Sequence, residues 1–329
     1  AGLKAYKDSS VAMMRAAARR GHAIYATEAR HLFIRDGFAR AACAALEVQP
    51  DDDWYHVAHT ETFTLKDFNA VVMRTDPPVD TDYLLATHLL GVAEANGARV
   101  LNRPSCLRDF NEKLAILNFP AFIAPTLVSA DTAEIGRFLA EHHDIIVKPL
   151  TEMGGSGIFR LTLADPNRNA ILETLTRCGD RAIMAQRYLP EIKDGDKRIL
   201  LIDGEVVPWA LARISRAGET RGNLAAGGTA RAQPLSARDR VIAEAIAPWA
   251  RDHGIFLAGL DVIGNSLTEI NVTSPTGFQE ITAQTGHDVA AYGVSGVMRF
   301  AFNRGDILKD FLQDPKTATA GVPPDHHNA

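Results

Sequence analysis

Cysteine is scarce in this chain: Cys43, Cys106 and Cys178 are the only three in 329 residues, far apart and without C-x-x-C or metal-ligand spacing. That excludes a disulfide framework and a cysteine zinc site, and it fits reduced thiols in a cytoplasmic protein. No apolar run approaches the roughly 20 residues that a membrane-spanning helix needs. An excess of positive charge is also missing. The formal net charge is -5 and the sequence pI is near 6.1, whereas a nucleic-acid footprint needs a basic face. Neither G-x-x-x-x-G-K-[ST] nor G-x-G-x-x-G occurs, which excludes a P-loop and a dinucleotide turn. The 11 histidines are scattered, and no Ser-His-Asp or Cys-His arrangement argues for covalent catalysis through a side chain. What remains is an ordinary globular composition, 46% hydrophobic and 23% charged, on a length that accommodates two or three subdomains.

The most informative stretch is Gly259-Leu-Asp-Val-Ile-Gly-Asn-Ser-Leu-Thr-Glu-Ile-Asn-Val-Thr-Ser-Pro275. It reads as two short strands around Gly264-Asn265-Ser266, a composition suited to a three-residue hairpin loop. In that register Asp261 lies opposite Glu269, and Asn271 follows on the same face because side chains alternate. Facing acids repel one another. A hard cation reverses the repulsion, and two carboxylates with an amide oxygen make an all-oxygen Mg2+ site. The competing reading is a surface hairpin with solvated acids.

The first third alternates strand and helix, the pattern of a mostly parallel sheet. Asp8-Ser9-Ser10 caps a helix over 11–20 closed by Gly21, and 23–27 reads as a strand. A second strand over 70–74, a helix over 82–96 and a strand over 99–102 follow. An α/β unit that opens on a loop and a helix lacks its first strand, so a longer chain is expected at this end. Ligands collect at the carboxyl ends of parallel strands, where Arg74 and the Asp8-Ser9-Ser10 helix start both fall. That start is a ready anion site, although simple capping explains the same residues.

In the middle, a helix over 104–117 carries Lys113, and Lys148 lies near the end of a strand that begins at Asp144. Glu152-Met-Gly-Gly-Ser-Gly157 links that strand to another at 158–162. It is either a flexible hairpin tip or a glycine flap whose N–H groups close over phosphates beside Lys148. The last third returns to strands at 182–189, a hairpin over 197–207 with an Asp203-Gly204 turn, and 210–214. Residues 215–228 have neither period and read as a lid or a disordered loop. Ser236 caps an amphipathic helix ending at Gly254, and the tail from about Asp314 reads as disordered. Arg198, Arg213 and Arg221 share this third. Each alone is explained by a surface ion pair. As a set beside two lysines, a flap and a lid they suit a reaction among several anions, because guanidinium forks grip carboxylate and phosphate.

Several longer strings occur in a fixed order: Lys7-Asp-Ser-Ser10, Arg74-Thr-Asp-Pro-Pro78, Asn111-Glu-Lys113, Ile146-Val-Lys-Pro149, Gly154-Gly155, Tyr188-Leu-Pro-Glu-Ile-Lys-Asp-Gly-Asp-Lys-Arg198, Glu219-Thr-Arg-Gly-Asn-Leu-Ala-Ala-Gly-Gly228 and Thr268-Glu-Ile-Asn-Val-Thr-Ser-Pro275. With them the chain closely resembles the bacterial glutathione synthetases, a family of ATP-grasp ligases, over about residues 4–300. The resemblance implies a mixed α/β and α+β fold. A preATP-grasp parallel α/β domain is expected at 1–110, a central flap subdomain at 111–190, and a C-terminal ATP-grasp subdomain at 191–313 with its lid loop at 215–228. The tail follows at 314–329.

The resemblance further implies ATP held between antiparallel sheets, Mg2+ or Mn2+, and the substrates γ-glutamylcysteine and glycine joined through an acyl phosphate. ADP and phosphate are expected to leave, and a cytoplasmic homo-oligomer, a tetramer by family precedent, is expected. Position by position, Lys113 and Lys148 are similar to the phosphate lysines. Glu152, Met153, Gly154 and Gly155 match the flap, Gln186, Arg187, Tyr188 and Leu189 the linker that meets adenine, and Asp196 the ribose contact. Asp261, Glu269 and Asn271 match the metal ligands. Asp8, Ser9, Ser10 and Arg74 match dipeptide contacts. Arg198, Arg213, Arg221 and Asn223 match positions near the reacting carboxylate and under the lid, with Ser274 and Pro275 beside them; Arg198 and Arg221 are the expected catalytic pair. No role is carried onto Gly277, Phe278 or Gln279. The alternatives are another ATP-grasp carboxylate-amine ligase with a different substrate and a non-catalytic ATP-binding module.

Overall fold

The computed structural model describes residues 3–214 and 228–301. Arg221, Asn223 and the tail 314–329 therefore lie outside the described residues. Helix α1 (Ser9–Arg19) begins where expected, with Asp8 as N-cap: its Oδ1 accepts the Ser10 N–H at 2.7 Å, satisfying one of the unpaired donors at a helix start.

Strands β1 (Ile24–Ala26), β2 (Leu32–Arg35), β3 (Phe38–Val48) and β4 (Tyr55–Thr64) form an antiparallel sheet. In it β3 pairs with β4 along one side and with β1 and β2 along the other. Among the described residues, parallel pairing is confined to β5 (Val71–Val72) and β6 (Val100–Leu101), which flank α2 (Thr81–Ala95). The first third is thus less parallel than its alternating pattern predicts. The reason is β3, which buries Ala39, Ala41 and Cys43 on alternate positions in place of the β-branched residues that mark strands. The legible signal was its turn, Asp36-Gly37, with φ of 54° and 78°, a strong hairpin dipeptide.

The helix expected over 104–117 breaks in two. Helix α3 (Pro104–Asp109) stops, and a 3-10 turn covers Leu114–Asn118. Between them Asn111 Oδ1 accepts the N–H groups of Lys113 and Leu114, each at 3.1 Å, a side-chain alternative to continued helix.

Strand β7 (Thr126–Ser129), helix α4 (Thr132–His142), strands β8 (Asp144–Pro149) and β9 (Phe159–Thr162), helix α5 (Arg168–Thr176) and strand β10 (Ile183–Arg187) build a second antiparallel sheet, ordered β7-β10-β8-β9. Ile135 and Leu139 of α4 and Leu172 and Leu175 of α5 pack on Ile145, Val147, Leu161, Ile183 and Ala185. Period two then turns Lys148 and Gln186 to the sheet's other face.

The third sheet, β13-β12-β11-β14-β15, comprises β11 (Asp196–Ile202), β12 (Glu205–Ile214), β13 (Thr229–Pro234), β14 (Leu257–Ile263) and β15 (Ser266–Asn271). Helix α6 (Ala237–Asp252) covers one face, packing Ile242 and Ile246 near Ile199 and Leu201. Helices α7 (Phe278–Thr285) and α8 (Val289–Ala301), with Met13 and Ala16 of α1, cover Leu200, Ile202 and Leu211 on the other. Asp196, Arg198, Arg213 and Asp261 share the parity of this second face. No described helix is long and apolar enough to cross a membrane.

Candidate active site

Asp261 and Glu269 stand opposite each other in the β14–β15 ladder, as the spacing predicts, but the loop is built differently. The turn has two residues, Gly264 and Asn265, with Gly264 at φ 57°. The third is Thr268, which bulges between the Glu269 and Leu267 pairs. The bulge leaves the Thr268 carbonyl to accept from Lys148 Nζ at 3.2 Å, while its Oγ1 donates to the Asp261 carbonyl at 3.1 Å. A bulge that re-aims a backbone group beside a site is a recurrent device.

Four cations converge on the two acids. Arg198 grips Asp261 with Nε to Oδ1 at 2.5 Å and Nη2 to Oδ2 at 3.1 Å. Arg213 Nη2 reaches Asp261 Oδ2 at 2.8 Å and Asp196 Oδ2 at 2.6 Å. Lys113 and Lys148 each hold Nζ 3.6 Å from Glu269 Oε1. Lys148 and Asp261 are 4% exposed, Lys113 5% and Arg198 6%. Removing so many charges from water costs several kcal/mol per ion before pairing offsets it, which is a reason to read the cluster as functional.

The protonation equilibria reflect the same burial and pairing. Burial pushes the Asp261 carboxyl up, but Arg198 and Arg213 outweigh it and hold the group well below the usual carboxylate range. Burial lifts Asp196 to about 7, with Arg213 opposing and Asp261 adding to the rise. Burial also lowers Lys148, against the pull of Glu269. Perturbed groups of this kind concentrate at functional sites.

A second constellation lies where α1 meets Arg74, just after β5. Arg74 donates from Nε to Ser10 Oγ at 3.2 Å and from Nη2 to the Pro275 carbonyl at 2.9 Å. Its buried Nη1 has no hydrogen-bond partner among the described residues. Burial lowers Arg74 to about 10, with Asp8 and Asp76 opposing. Ser274 donates to Asp76. The Ser9 hydroxyl is fully buried and accepts the Phe278 N–H at 3.3 Å, so that side chain ties α1 to α7.

The remaining candidates lie on the β8–β10 sheet and the segments flanking it, and on strands β11 and β15. Lys113 Nζ donates to the Glu152 carbonyl at 2.6 Å, tethering the base of the glycine segment. Met153 is exposed, and Gly154 and Gly155 turn at φ 66° and 82°. Gln186 Nε2 donates to Thr126 Oγ1 at 3.0 Å. Arg187 and Tyr188 donate their N–H groups to Pro125 and Asp144 carbonyls, each at 3.0 Å, and the Arg160 guanidinium stacks 3.8 Å over the Tyr188 ring. Leu189 leads into the 3-10 turn Pro190–Asp194. Asp196 lies in the arginine cluster itself, with a buried Oδ1 that has no hydrogen-bond partner among the described residues. Asn271 Nδ2 donates to the Gly259 carbonyl at 3.1 Å, so its oxygen is the end available to a cation.

Sequence reasoning missed Glu112, Asp76 and Gln279. Glu112 Oε1 accepts from Val272 N at 2.9 Å, Thr273 N at 3.0 Å and Thr273 Oγ1 at 2.8 Å. Its partners are some 160 residues distant along the chain, and no local pattern marks such a contact.

Residues 112–286 match the prokaryotic glutathione synthetase ATP-grasp domain, and residues 1–108 match the prokaryotic glutathione synthetase N-terminal domain. The chain belongs to the prokaryotic glutathione synthetase family. A glutathione synthetase of Neisseria meningitidis serogroup A is 57% identical over 306 residues, covering 92% of this chain and 96% of that relative. One from Nitrosomonas europaea is 56% identical, covering 88% and 91%. One from Pseudomonas aeruginosa is 52% identical, covering 84% and 87%. Among solved structures, the ATP-grasp ligase PsnB with its precursor peptide and AMPPNP aligns with a TM-score of 0.58 at 17% identity, over 89% of this chain and 93% of its own. A RimK-domain ATP-grasp protein from Sphaerobacter thermophilus aligns with 0.58 at 18% identity, over 88% and 95%. At such identities the likeness shows the ATP-grasp fold alone. As a glutathione synthetase, the chain is an ATP-dependent ligase that forms glutathione.

Proposed function

We propose that this glutathione synthetase joins γ-glutamylcysteine to glycine through an acyl phosphate, with the Asp261–Glu269 hairpin as the metal-holding end of its ATP site. The observation that carries this reading is the convergence of Lys113, Lys148, Arg198 and Arg213 on two facing acids, Asp261 buried and Glu269 partly so, where two antiparallel sheets meet. The cysteinyl carboxylate of the dipeptide attacks the γ-phosphorus and ADP leaves. The glycine amine then attacks the acyl carbonyl and phosphate is expelled. Phosphoryl transfer asks a protein chiefly for alignment and charge neutralisation. Lys113 and Lys148 neutralise phosphate oxygens, and Arg198 and Arg213 meet the charge that spreads over the transferring group. Gln186, Arg187, Tyr188 and Leu189 border the base, with Glu152, Met153, Gly154 and Gly155 as the flap. Asp8, Ser10 and the unpartnered Nη1 of Arg74 take the dipeptide, with Ser9, Ser274 and Pro275 shaping that end. Arg221 and Asn223 are assigned to transition-state charge and substrate contact on their place in the Glu219-to-Gly228 string alone.

The donor set fits a hard divalent cation: two carboxylates and an amide oxygen, with the acids placed directly opposite each other. Mg2+ or Mn2+ held by Asp261, Glu269 and Asn271 would neutralise charge on the phosphate oxygens. Turnover is expected to vanish on chelation and return with Mg2+, and Asp261→Asn or Glu269→Gln to abolish turnover more than folding. Near-native activity of either variant at low Mg2+ sinks the metal assignment.

The substrate assignment is checked by ATP consumption with γ-glutamylcysteine, with and without glycine, across a panel of amino acids and dipeptides. Activity confined to other substrates overturns it. A homotetramer in the cytoplasm is what we propose on the family resemblance; the exposed edge of β4, where Tyr55 and Val57 face solvent, is a surface open to pairing with a second copy. Light scattering tests it against the 35.7 kDa protomer mass.

A further inference from the structure

The segment that leaves the acidic hairpin touches each part of the site in turn. Val272 and Thr273 engage Glu112, Ser274 engages Asp76, and the Pro275 carbonyl takes Arg74. Gly277 turns at φ 113° beside Leu211 and Arg198, and the Phe278 N–H reaches Ser9. Gln279 completes the series. From the first turn of α7 its Nε2 donates to the Asp8 carbonyl at 2.7 Å and to the Ala5 carbonyl at 3.0 Å. Both acceptors belong to the turn that launches α1. Asp8 N–H donates to the Lys4 carbonyl at 3.0 Å, and the Asp8 carbonyl accepts Ala12 N–H at 3.1 Å as the helix's opening bond. A side-chain amide nitrogen has two hydrogens, and these two carbonyls use both.

We propose that Gln279 is a positioning residue for the dipeptide end of the site: its amide locks the turn carrying Asp8, Ser9 and Ser10 onto the strap that runs from Asn271. The inference rests on the reading that Asp8, Ser10 and Arg74 hold the dipeptide. The helix start and Arg74 are thereby kept at a set distance from Arg198 and Asp261, the other end of the reaction. Distance matters here because a shift of about 1 Å between a bound nucleophile and its target costs on the order of 100-fold in rate. Only the single Ser9–Phe278 bond otherwise joins the opening turn of α1 to α7 among the hydrogen bonds of residues 278 and 279. Replacing the amide by a carboxylate puts an oxygen against two carbonyl oxygens and pushes the turn away at almost no change in volume.

The test is steady-state kinetics of Gln279→Glu and Gln279→Ala, with amide hydrogen exchange on the same proteins. KM for γ-glutamylcysteine is expected to rise about tenfold while KM for ATP stays within about twofold. Exchange is expected to quicken at residues 5–12 and to stay slow in β11, β14 and β15. Ser10→Ala and Arg74→Lys, measured alongside, test the underlying reading. If these two raise the dipeptide KM while Gln279→Glu changes neither KM nor exchange, the positioning role is overturned and the dipeptide reading stands. If they leave the dipeptide KM unchanged, the dipeptide reading itself fails. Equal rises in both KM values together with a fall in melting temperature make Gln279 a merely structural residue, which also overturns the proposal. Should Gln279→Glu not fold, Gln279→Ala, which removes the donors without adding charge, decides between the same outcomes.

Discussion

A Cβ on Gly259 would lie 2.7 Å from Arg198 Cδ and 2.9 Å from Pro275 Cβ, closer than such atoms pack. The bare backbone at this position lets the Arg198 side chain lie against β14 and present its fork to Asp261. Gly259→Ala is therefore expected to lift the guanidinium off the carboxylate and lower kcat about 100-fold, the cost of a misplaced catalytic group. The β14–β15 ladder should survive, so the melting temperature should stay near that of the parent. Kinetics and a thermal melt check both halves; an active Gly259→Ala enzyme would show that the Arg198–Asp261 fork is dispensable. Gly259 was visible in the sequence only as the first residue of a strand. Its importance comes from Arg198, 61 residues earlier and on the neighbouring strand β11.

Strand β11 serves two faces at once. Period two sends Lys197 toward α6 and Arg198 toward the site. Lys197 pairs with Asp239, which is fully buried, and also donates to the Gly264 carbonyl at 3.1 Å. Asp239 is the third residue of α6 and closes a capping box with Ser236: Ser236 Oγ accepts the Asp239 N–H at 3.1 Å and Asp239 Oδ2 accepts the Ser236 N–H at 3.0 Å. One carboxylate thus starts a helix and neutralises a lysine from the sheet beneath. Asp239→Ala should destabilise the protein by about 3–5 kcal/mol, the range for stranding one partner of a buried pair, read as a lower urea midpoint. A loss below about 1 kcal/mol would mean that Lys197 escapes to water instead. The helix and its Ser236 cap were legible from local sequence, and so were α1 and α2. The buried partner of Asp239 was not, since nothing local says which strand lies under a helix.

The second and third sheets meet so that the candidate site is assembled from chain segments far apart: the hairpin from the third sheet, Lys148 from the second, Lys113 from the segment before it, and Arg74, after the parallel β5–β6 pair, with α1. Burying these groups has a global consequence. Asp196 is held at about 7, against an ordinary aspartate value of about 3.9 in the unfolded chain. The folded protein therefore keeps a proton that the unfolded chain releases between about pH 4 and 7. The stability this contributes is fully present below about pH 4 and is lost as pH rises through 7. Urea unfolding of the ligand-free protein at pH 5 and pH 7.5 should show it as greater stability at the lower pH. Asp196→Asn should flatten the difference, and an unchanged slope in that variant would assign the effect to other groups.

The chain by itself determined the kinds and order of most elements, the opposition of Asp261 and Glu269, the helix caps, the glycine segment between β8 and β9, and the resemblance to its family. Those features follow from side-chain periodicity, turn chemistry and capping, which act over a few residues and leave their mark in the local pattern. Even so, the right register was reached through a different device, a bulge at Thr268 in place of a third loop residue. Tertiary structure alone decided that Arg198 and Arg213 close on Asp261, that Glu112 anchors the strand end at Thr273, that Ser9 is sealed under α7, and that Gln279 holds the start of α1. These pairings depend on which surfaces are brought out of water together, because a buried charge or amide must find its partner wherever the fold supplies one.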